Sequence, residues 1–330
     1  MGHHTDGVES QSEISLPTVL TQDSPILCDL SHFALVHCSG DDAQKFLQAQ
    51  LTNDVSAISL SRSQYTAYCT PKGRMLASFL LWRSHDGYCL QLPASLADST
   101  IERLRRYVLR AKVQLQNVSD TYSRFGVAGS DAQALLRRVF TTVPNRAHAV
   151  SHGEEASLLC LSEDRFQVIA QTAHAPALWK ELQKVAKPAG PQVWDWLNIR
   201  AGIPVILPQT QEQFVPQMVN FELIGGVSFE KGCYPGQEIV ARAKYRGQIK
   251  RRMFLAHIAS DTAPKPADEV YSDELQDQAA GMIVNSAANP EGGYDVLAVV
   301  QTSSVESEVH WKSREGPPLD FLSLPYAVNI

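Results

Sequence analysis

One cysteine stands in a setting that favours chemistry. Cys233 lies in Phe229-Glu-Lys-Gly-Cys-Tyr-Pro-Gly-Gln-Glu238, where Gly232, Pro235 and Gly236 imply a tight, exposed turn. After it, Ile239, Val240 and Ala243 share one face of a short helix. Glu238 falls in its first turn, Arg242, Lys244 and Arg246 fall toward its end, and Gly247 can stop it, a charge order that suits the helix dipole. A thiol just ahead of a helix N-terminus and two residues from Lys231 is biased toward thiolate. On a glycine-lined loop such a thiolate is open to a partner, a metal or an oxidant. The competing reading is a buried structural cysteine, the usual fate of a free thiol, but that fits poorly between Gly232 and a Pro-Gly turn. Cys233 as reactive thiol, with Lys231, Gln237 and Glu238 around it, is the candidate reactive set.

The same stretch is basic. From Lys231 to Arg252 there are seven cations (Lys231, Arg242, Lys244, Arg246, Lys250, Arg251 and Arg252) against the single acid Glu238. In a chain of formal net charge −6, a whole-molecule field for nucleic acid is not expected. A local patch of Arg242, Lys244, Arg246, Lys250, Arg251 and Arg252 suits RNA phosphates or a polyglutamate tail. A solvated helix end is the plainer alternative. His148-Ala-Val-Ser-His152 has metal-like spacing but no interposed Glu, and reads as a loop. The six cysteines form no CxxC pair, so neither a zinc ribbon nor a dithiol motif is expected. Without an apolar leader over Met1 to Pro25, the pattern fits reduced thiols in cytoplasm. No GxGxxG or Walker pattern exists, and no nucleotide cofactor, stable metal or membrane contact is expected.

The elements that must position these residues can be read from periodicity. Phe33–Cys38 suits a buried strand, Gly40 ends it, and Asp41 or Asp42 can cap a helix carrying Ala43, Phe46, Leu47 and Leu51. Gly40-Asp-Asp-Ala-Gln-Lys-Phe-Leu47 reads against Gly129-Ser-Asp-Ala-Gln-Ala-Leu-Leu136, again after a strand-like run, Arg124–Ala128. Tyr88–Leu92, then Ala97, Ile101, Leu104 and Val108, continue the first copy; Arg165–Gln171, then Leu178, Leu182 and Val185, continue the second. Two related α/β lobes follow from this repeat. Thr70–Arg74 is a turn into the apolar strand Met75–Trp82. After residue 260 helical periodicity is weak; Ala279–Ala287, Tyr294–Gln301 and Glu308–Lys312 read as strands of a small all-β unit.

Lys231-Gly-Cys-Tyr-Pro-Gly-Gln-Glu238 resembles the K-G-C-Y-x-G-Q-E motif of the YgfZ family, with no mismatch at its fixed positions. The likeness extends through Ile239–Gly247, and upstream through Phe214–Asn220, Gly225–Phe229, Ala201–Pro204 and Gly40–Gln48. It implies an α+β fold: a T-protein-like ring of related α/β lobes around a central cavity, with a C-terminal β-barrel. The expected divisions are a polar tail (1–24), a first lobe (25–125), a second lobe with the Cys motif (126–250, with segments exchanged between lobes) and the barrel (251–330). The resemblance also implies tetrahydrofolate or a derivative as cofactor, and partnership with iron–sulfur proteins or their assembly factors, with effects on tRNA modification. Trp194 and Phe33 match its aromatic folate positions, where a ring face can stack on pterin. One departure stands out: Arg200 occupies the place where T-proteins carry a pterin-binding Glu, and a guanidinium cannot accept N–H bonds.

Two other readings stand beside an accessory factor. A folate-dependent aminomethyltransferase needs a carboxylate near the strand after the glycine turn, and Thr70–Arg83 holds none. A glycine-cleavage enzyme is therefore not expected. A non-catalytic tRNA-binding module would add Arg103, Arg105, Arg106, Arg110 and Lys112 to the basic segment.

Overall fold

The computed structural model describes residues 25–245, 249–275 and 278–328. The polar tail over 1–24, the cation at Arg246 and the helix stop at Gly247 lie outside the described residues.

The chain opens with β1 (Ile26–Asp29), β2 (Phe33–Ser39), α1 (Ala43–Gln50), β3 (Ser63–Cys69), β4 (Met75–Ser84), β5 (Gly87–Pro93), α2 (Ala94–Arg105) and β6 (Gln114–Asn117). It continues with β7 (Tyr122–Ala128), α3 (Ala132–Val139), β8 (Val150–His152), β9 (Ala156–Ser162), β10 (Arg165–Gln171), α4 (Ala175–Gln183), β11 (Lys187–Ala189) and α5 (Pro191–Arg200). A long irregular segment leads to α6 (Gln237–Tyr245), β12 (Arg251–Ile258), β13 (Glu269–Ser272), β14 (Ala279–Ala288), β15 (Tyr294–Gln301), β16 (Val309–Trp311) and β17 (Asp320–Leu322).

These strands form three sheets. The first, β3-β4-β5-β2-β6, is antiparallel throughout. The second, β11-β1-β7-β10-β9-β8, is antiparallel except where β1 runs parallel to β11. The N-terminal β1 thus belongs to the second sheet, although the chain passes straight from it into the first. Helices α1 and α2 cover one face of the first sheet, with Phe46, Leu47, Leu96 and Ile101 packed among Val36, Cys38 and Leu90. Helices α3 and α4 do the same for the second, through Leu135, Leu136, Leu178 and Leu182. The remaining faces meet: Leu35, Leu80, Trp82 and Cys89 pack on Val150, Leu159 and Ile169. Each sheet is apolar on both faces because one takes helices and the other takes its counterpart.

The repeat read from the sequence has a structural counterpart. Gly40 and Gly129 both take positive φ, 109° and 133°. In each copy the glycine carbonyl accepts from the alanine three residues on, at 3.0 Å, and the helix that follows has eight residues. The capping expectation is corrected in one respect: neither Asp42 nor Asp131 caps with its side chain. Asp42 instead accepts the Lys112 main-chain N–H at 2.8 Å, and Asp41 pairs with Lys112 Nζ at 3.0 Å. Helix α2 also stops at Arg105, so Arg106, Val108, Arg110 and Lys112 lie beyond it. The loop read at His148–His152 ends in strand β8.

The third sheet, β16-β13-β14-β15-β12-β17, is antiparallel and curls over its own core of Ile258, Val270, Ile283, Val296 and Trp311. Among the described residues its end strands pair only inward, apart from a single bridge from His310 to Pro318, which makes it half-barrel-like. It is tied to α5 by Asp295, fully buried, which accepts from Trp196 Nε1 at 2.9 Å and Asn289 Nδ2 at 2.9 Å and meets His257 Nδ1 at 3.0 Å. Such a buried carboxylate is tolerable because its lone pairs are taken up.

Candidate functional site

The thiol loop rests on a second turn. Gly73 (φ +72°) closes the turn from Thr70 to Arg74, with its N–H bonded to Thr70 O at 2.8 Å. Gly236 (φ +84°) lies in the turn from Tyr234 to Gln237, directly after Cys233. A Cβ on Gly236 would stand 2.5 Å from both Gly73 Cα and Thr70 O. The two turns therefore pack main chain on main chain, which only glycine permits at this φ and distance. Helix α6 starts at once, the Gly236 carbonyl accepting from Ile239 and Val240 at 3.1 and 3.2 Å.

Lys231 does more structural work than its sequence position suggested. It is 8% exposed, and its ammonium donates to the carbonyls of Gln48, Leu51 and Asn53 at 2.6, 2.6 and 3.0 Å, around the end of α1. Burial pushes it down to about 8, against the opposing pull of Asp54. Its charge is thus committed to α1, and the Lys231–Tyr234 ring contact at 5.2 Å holds the loop's inner side. Gln237 Nε2 donates to Lys231 O at 3.2 Å, so it too braces the loop. Glu238 is exposed and pairs with Arg242 at 2.9 Å.

Cys233 is exposed, and the other five cysteines are buried. Burial pushes the thiols of Cys28, Cys38, Cys69 and Cys89 up to about 12, and that of Cys160 to about 11. Those five are inert as nucleophiles at neutral pH.

The basic segment is divided by the fold. Arg252 is buried and ion-paired with Glu222, with a further bond to Gln217 O at 2.8 Å. Burial, the largest influence on Glu222, raises its carboxyl against the pull of Arg252. Lys244 lies 3.9 Å from the Phe229 ring centroid. Lys250 is exposed and Arg251 half-buried at the start of β12. Arg252 therefore cannot serve an outside polyanion.

A cavity lies between the two sheets. Phe33 and Trp194 both line it, with Tyr65 from β3, Ser78 and Phe79 from β4, Gln91 from β5, Gln167 from β10, Asn198 from α5 and Phe221. Its free volume is small, about 40 Å³. Past Phe33, Pro93, Asn198 and Val205 an outer cleft of about 410 Å³ opens, bounded by His32 and Asp195 on one side and on the other by Asn285 of β14 and Pro266 of the β12–β13 connection. Trp194 is fully buried; its ring lies against Gly126, where a Cβ would come within 2.4 Å, and carries the Arg165 guanidinium at 4.6 Å. Arg165, itself buried, donates to Asn198 Oδ1 at 2.7 Å and Leu197 O at 3.2 Å. Burial raises the Tyr65 phenol, with Arg165 opposing.

Sequence reasoning missed Arg165, Tyr65, Gln91 and Gln167, because single polar residues on buried strands carry no spacing signal. Arg200, which stands where T-proteins carry a pterin-binding Glu, lines neither space: it reaches Asp295 Oδ2 at 3.5 Å and the Trp196 ring at 6.0 Å. Cys233 lines neither space as well. The link between them is the chain itself: the turn under Gly236 runs straight into β4, whose Ser78 and Phe79 line the cavity.

The arrangement offers two separate capabilities. The loop presents one accessible thiol, suited to contact with a partner or an electrophile. The cavity offers aromatic faces and neutral amides to a flat, polar ring, and no carboxylate among its lining residues. Among the described residues no helix is long and apolar enough to cross a membrane.

Comparison with known proteins is consistent across sequence and structure. The family model described as the GCVT N-terminal domain matches residues 18–158. The chain is 36% identical over 308 residues to the tRNA-modifying protein YgfZ of Sodalis glossinidius, covering 92% of this chain and 93% of the relative. It is 32% identical to the proteins of that name from Enterobacter sp. (strain 638) and Escherichia coli O7:K1, with at least 92% of this chain covered. Among solved structures, the glycine cleavage system aminomethyltransferase T of Bartonella henselae superposes with a TM-score of 0.73 at 17% identity, covering 92% of this chain and 87% of that one. That likeness establishes the fold.

Proposed function

The chain belongs to the YgfZ family, and from that premise we propose that it is a cytoplasmic, folate-binding accessory factor that supports tRNA modification through iron–sulfur enzymes. In this reading the aromatic cavity of the lobe ring holds tetrahydrofolate or a derivative, and Cys233 meets the iron–sulfur protein or the assembly factor that serves it. The relatives' name as tRNA-modifying proteins supports the process; the cavity between the sheets supports the ligand class.

The observation that carries the role of Cys233 is its isolation: it is the only exposed thiol among six. It sits on a loop held by two reciprocal glycines and a buried lysine. When bound, folate would supply a reduced ring with one-carbon chemistry. The chain's own residues supply the rest: Phe33 and Trp194 line the space for a ring, and Arg165 holds Trp194 and Asn198 in place. The inner cavity's lining holds no carboxylate, and Asp195 borders the outer cleft. With Arg252 turned inward, a purely electrostatic RNA-binding module is the weaker reading.

The test is functional replacement. In cells lacking the protein, a Cys233→Ala chain should leave tRNA thiomethylation by radical iron–sulfur enzymes well below the wild-type chain under oxidative stress, at equal protein level. Full restoration by Cys233→Ala removes the thiol from the mechanism.

A further inference from the structure

The apolar cluster that joins the first and second sheets borders buried polar side chains. On β5, Cys89 and Gln91 are two residues apart and project to the same face; on β10, Gln167 and Ile169 do likewise. Cys89 and Ile169 belong to the hydrophobic cluster that joins the sheets. Gln91 and Gln167 therefore enter the same layer from opposite sides, and both line the inner cavity. Gln91 is 5% exposed and Gln167 3%. Neither side-chain carbonyl has a hydrogen-bond partner among the described residues, and Trp194 Nε1, at the same cavity, is unpaired too.

A buried amide oxygen left unpaired is costly, and a leucine of similar size would avoid the cost. Two such amides, from two different sheets and converging on one cavity, serve packing poorly. They serve a ligand well. A primary amide presents an acceptor oxygen and a donor NH₂ in one plane, the complement of the N–H/C=O edge of a cyclic amide.

We infer that Gln91 and Gln167 are the specificity-determining pair that reads the lactam edge of the heteroaromatic ring in this cavity; the inference rests on the folate reading above. Recognition then lies with neutral amides on β5 and β10, and the carboxylate that Arg200 replaces is not required. Phe33 supplies a face, and the two glutamines supply the in-plane bonds.

The experiment uses the purified full chain and tetrahydrofolate, titrated calorimetrically under reducing conditions, with Gln91→Leu and Gln167→Leu beside wild type. Each variant should bind at least tenfold more weakly while its ligand-free melting temperature stays level or rises, because an unpaired polar atom has been removed. A variant that melts lower and binds more weakly assigns its glutamine to packing and overturns the inference. Variants that bind within twofold of wild type overturn it while leaving the folate reading intact. Absence of saturable binding by wild type overturns the folate reading, and this inference with it.

Discussion

Lys231 shows how one residue can be read correctly as important and wrongly as to its office. Its ammonium is held by three carbonyls that lie 178 to 183 residues away in the chain. Lys231→Met removes the donor and leaves those carbonyls short of a partner, a cost of about 1–3 kcal/mol, measurable by urea unfolding. The pH dependence has a definite sign. Burial sets Lys231 at about 8 in the folded chain against an ordinary 10.5, so between these values the unfolded chain binds more protons. The contribution of Lys231 is therefore fully present above 10.5 and is lost as pH falls through 8. The stability difference between wild type and Lys231→Met should widen from pH 8 to 10.5; a difference that narrows there would contradict the burial of this charge.

At the scale of elements, two turns explain why the thiol loop holds its shape. Gly236→Ala would place a methyl 2.5 Å from Gly73 Cα and from Thr70 O, with φ at +84°. Main chain on both sides leaves no flexible atom to move, and strain plus overpacking should cost about 2 kcal/mol or more. Gly225 provides the control: its φ is +75° but nothing lies within 4 Å of a Cβ. Gly225→Ala should cost about 1 kcal/mol, from the backbone alone. Thermal denaturation of the two variants tests the pair. Equal losses would mean that the turns do not rest on one another.

For the whole molecule, the stacked sheets and their outer helices bury five thiols at once. Each raised thiol keeps its proton in the folded chain after the unfolded chain, at 9.0, has released it; the folded values are about 12 for four of them and about 11 for Cys160. Stability from these groups is complete below pH 9 and falls as pH rises toward 12. Urea midpoints should drop steadily over that range. Cys38→Ala, whose thiol is raised by burial alone, should flatten the slope.

Much of the fold was open to reading because its signals are local. Gly40 and Gly129 end strands and start helices by their own backbone freedom, the apolar runs at Phe33–Cys38 and Met75–Trp82 declare buried strands by composition, and the repeat places a strand at Arg165–Gln171. The Gly-Cys-Tyr-Pro-Gly run likewise pointed to a turn, and Cys233 stands exposed directly before it. What tertiary structure alone decided is where charge and polarity go. Arg252 turns inward because Glu222, thirty residues earlier, waits there, and Arg200 turns to Asp295. Gln91 and Gln167 become neighbours of one cavity only when two sheets stack. Such pairings depend on which distant groups share a low-dielectric interior, where an unpaired polar atom is costly. No spacing along the chain records that.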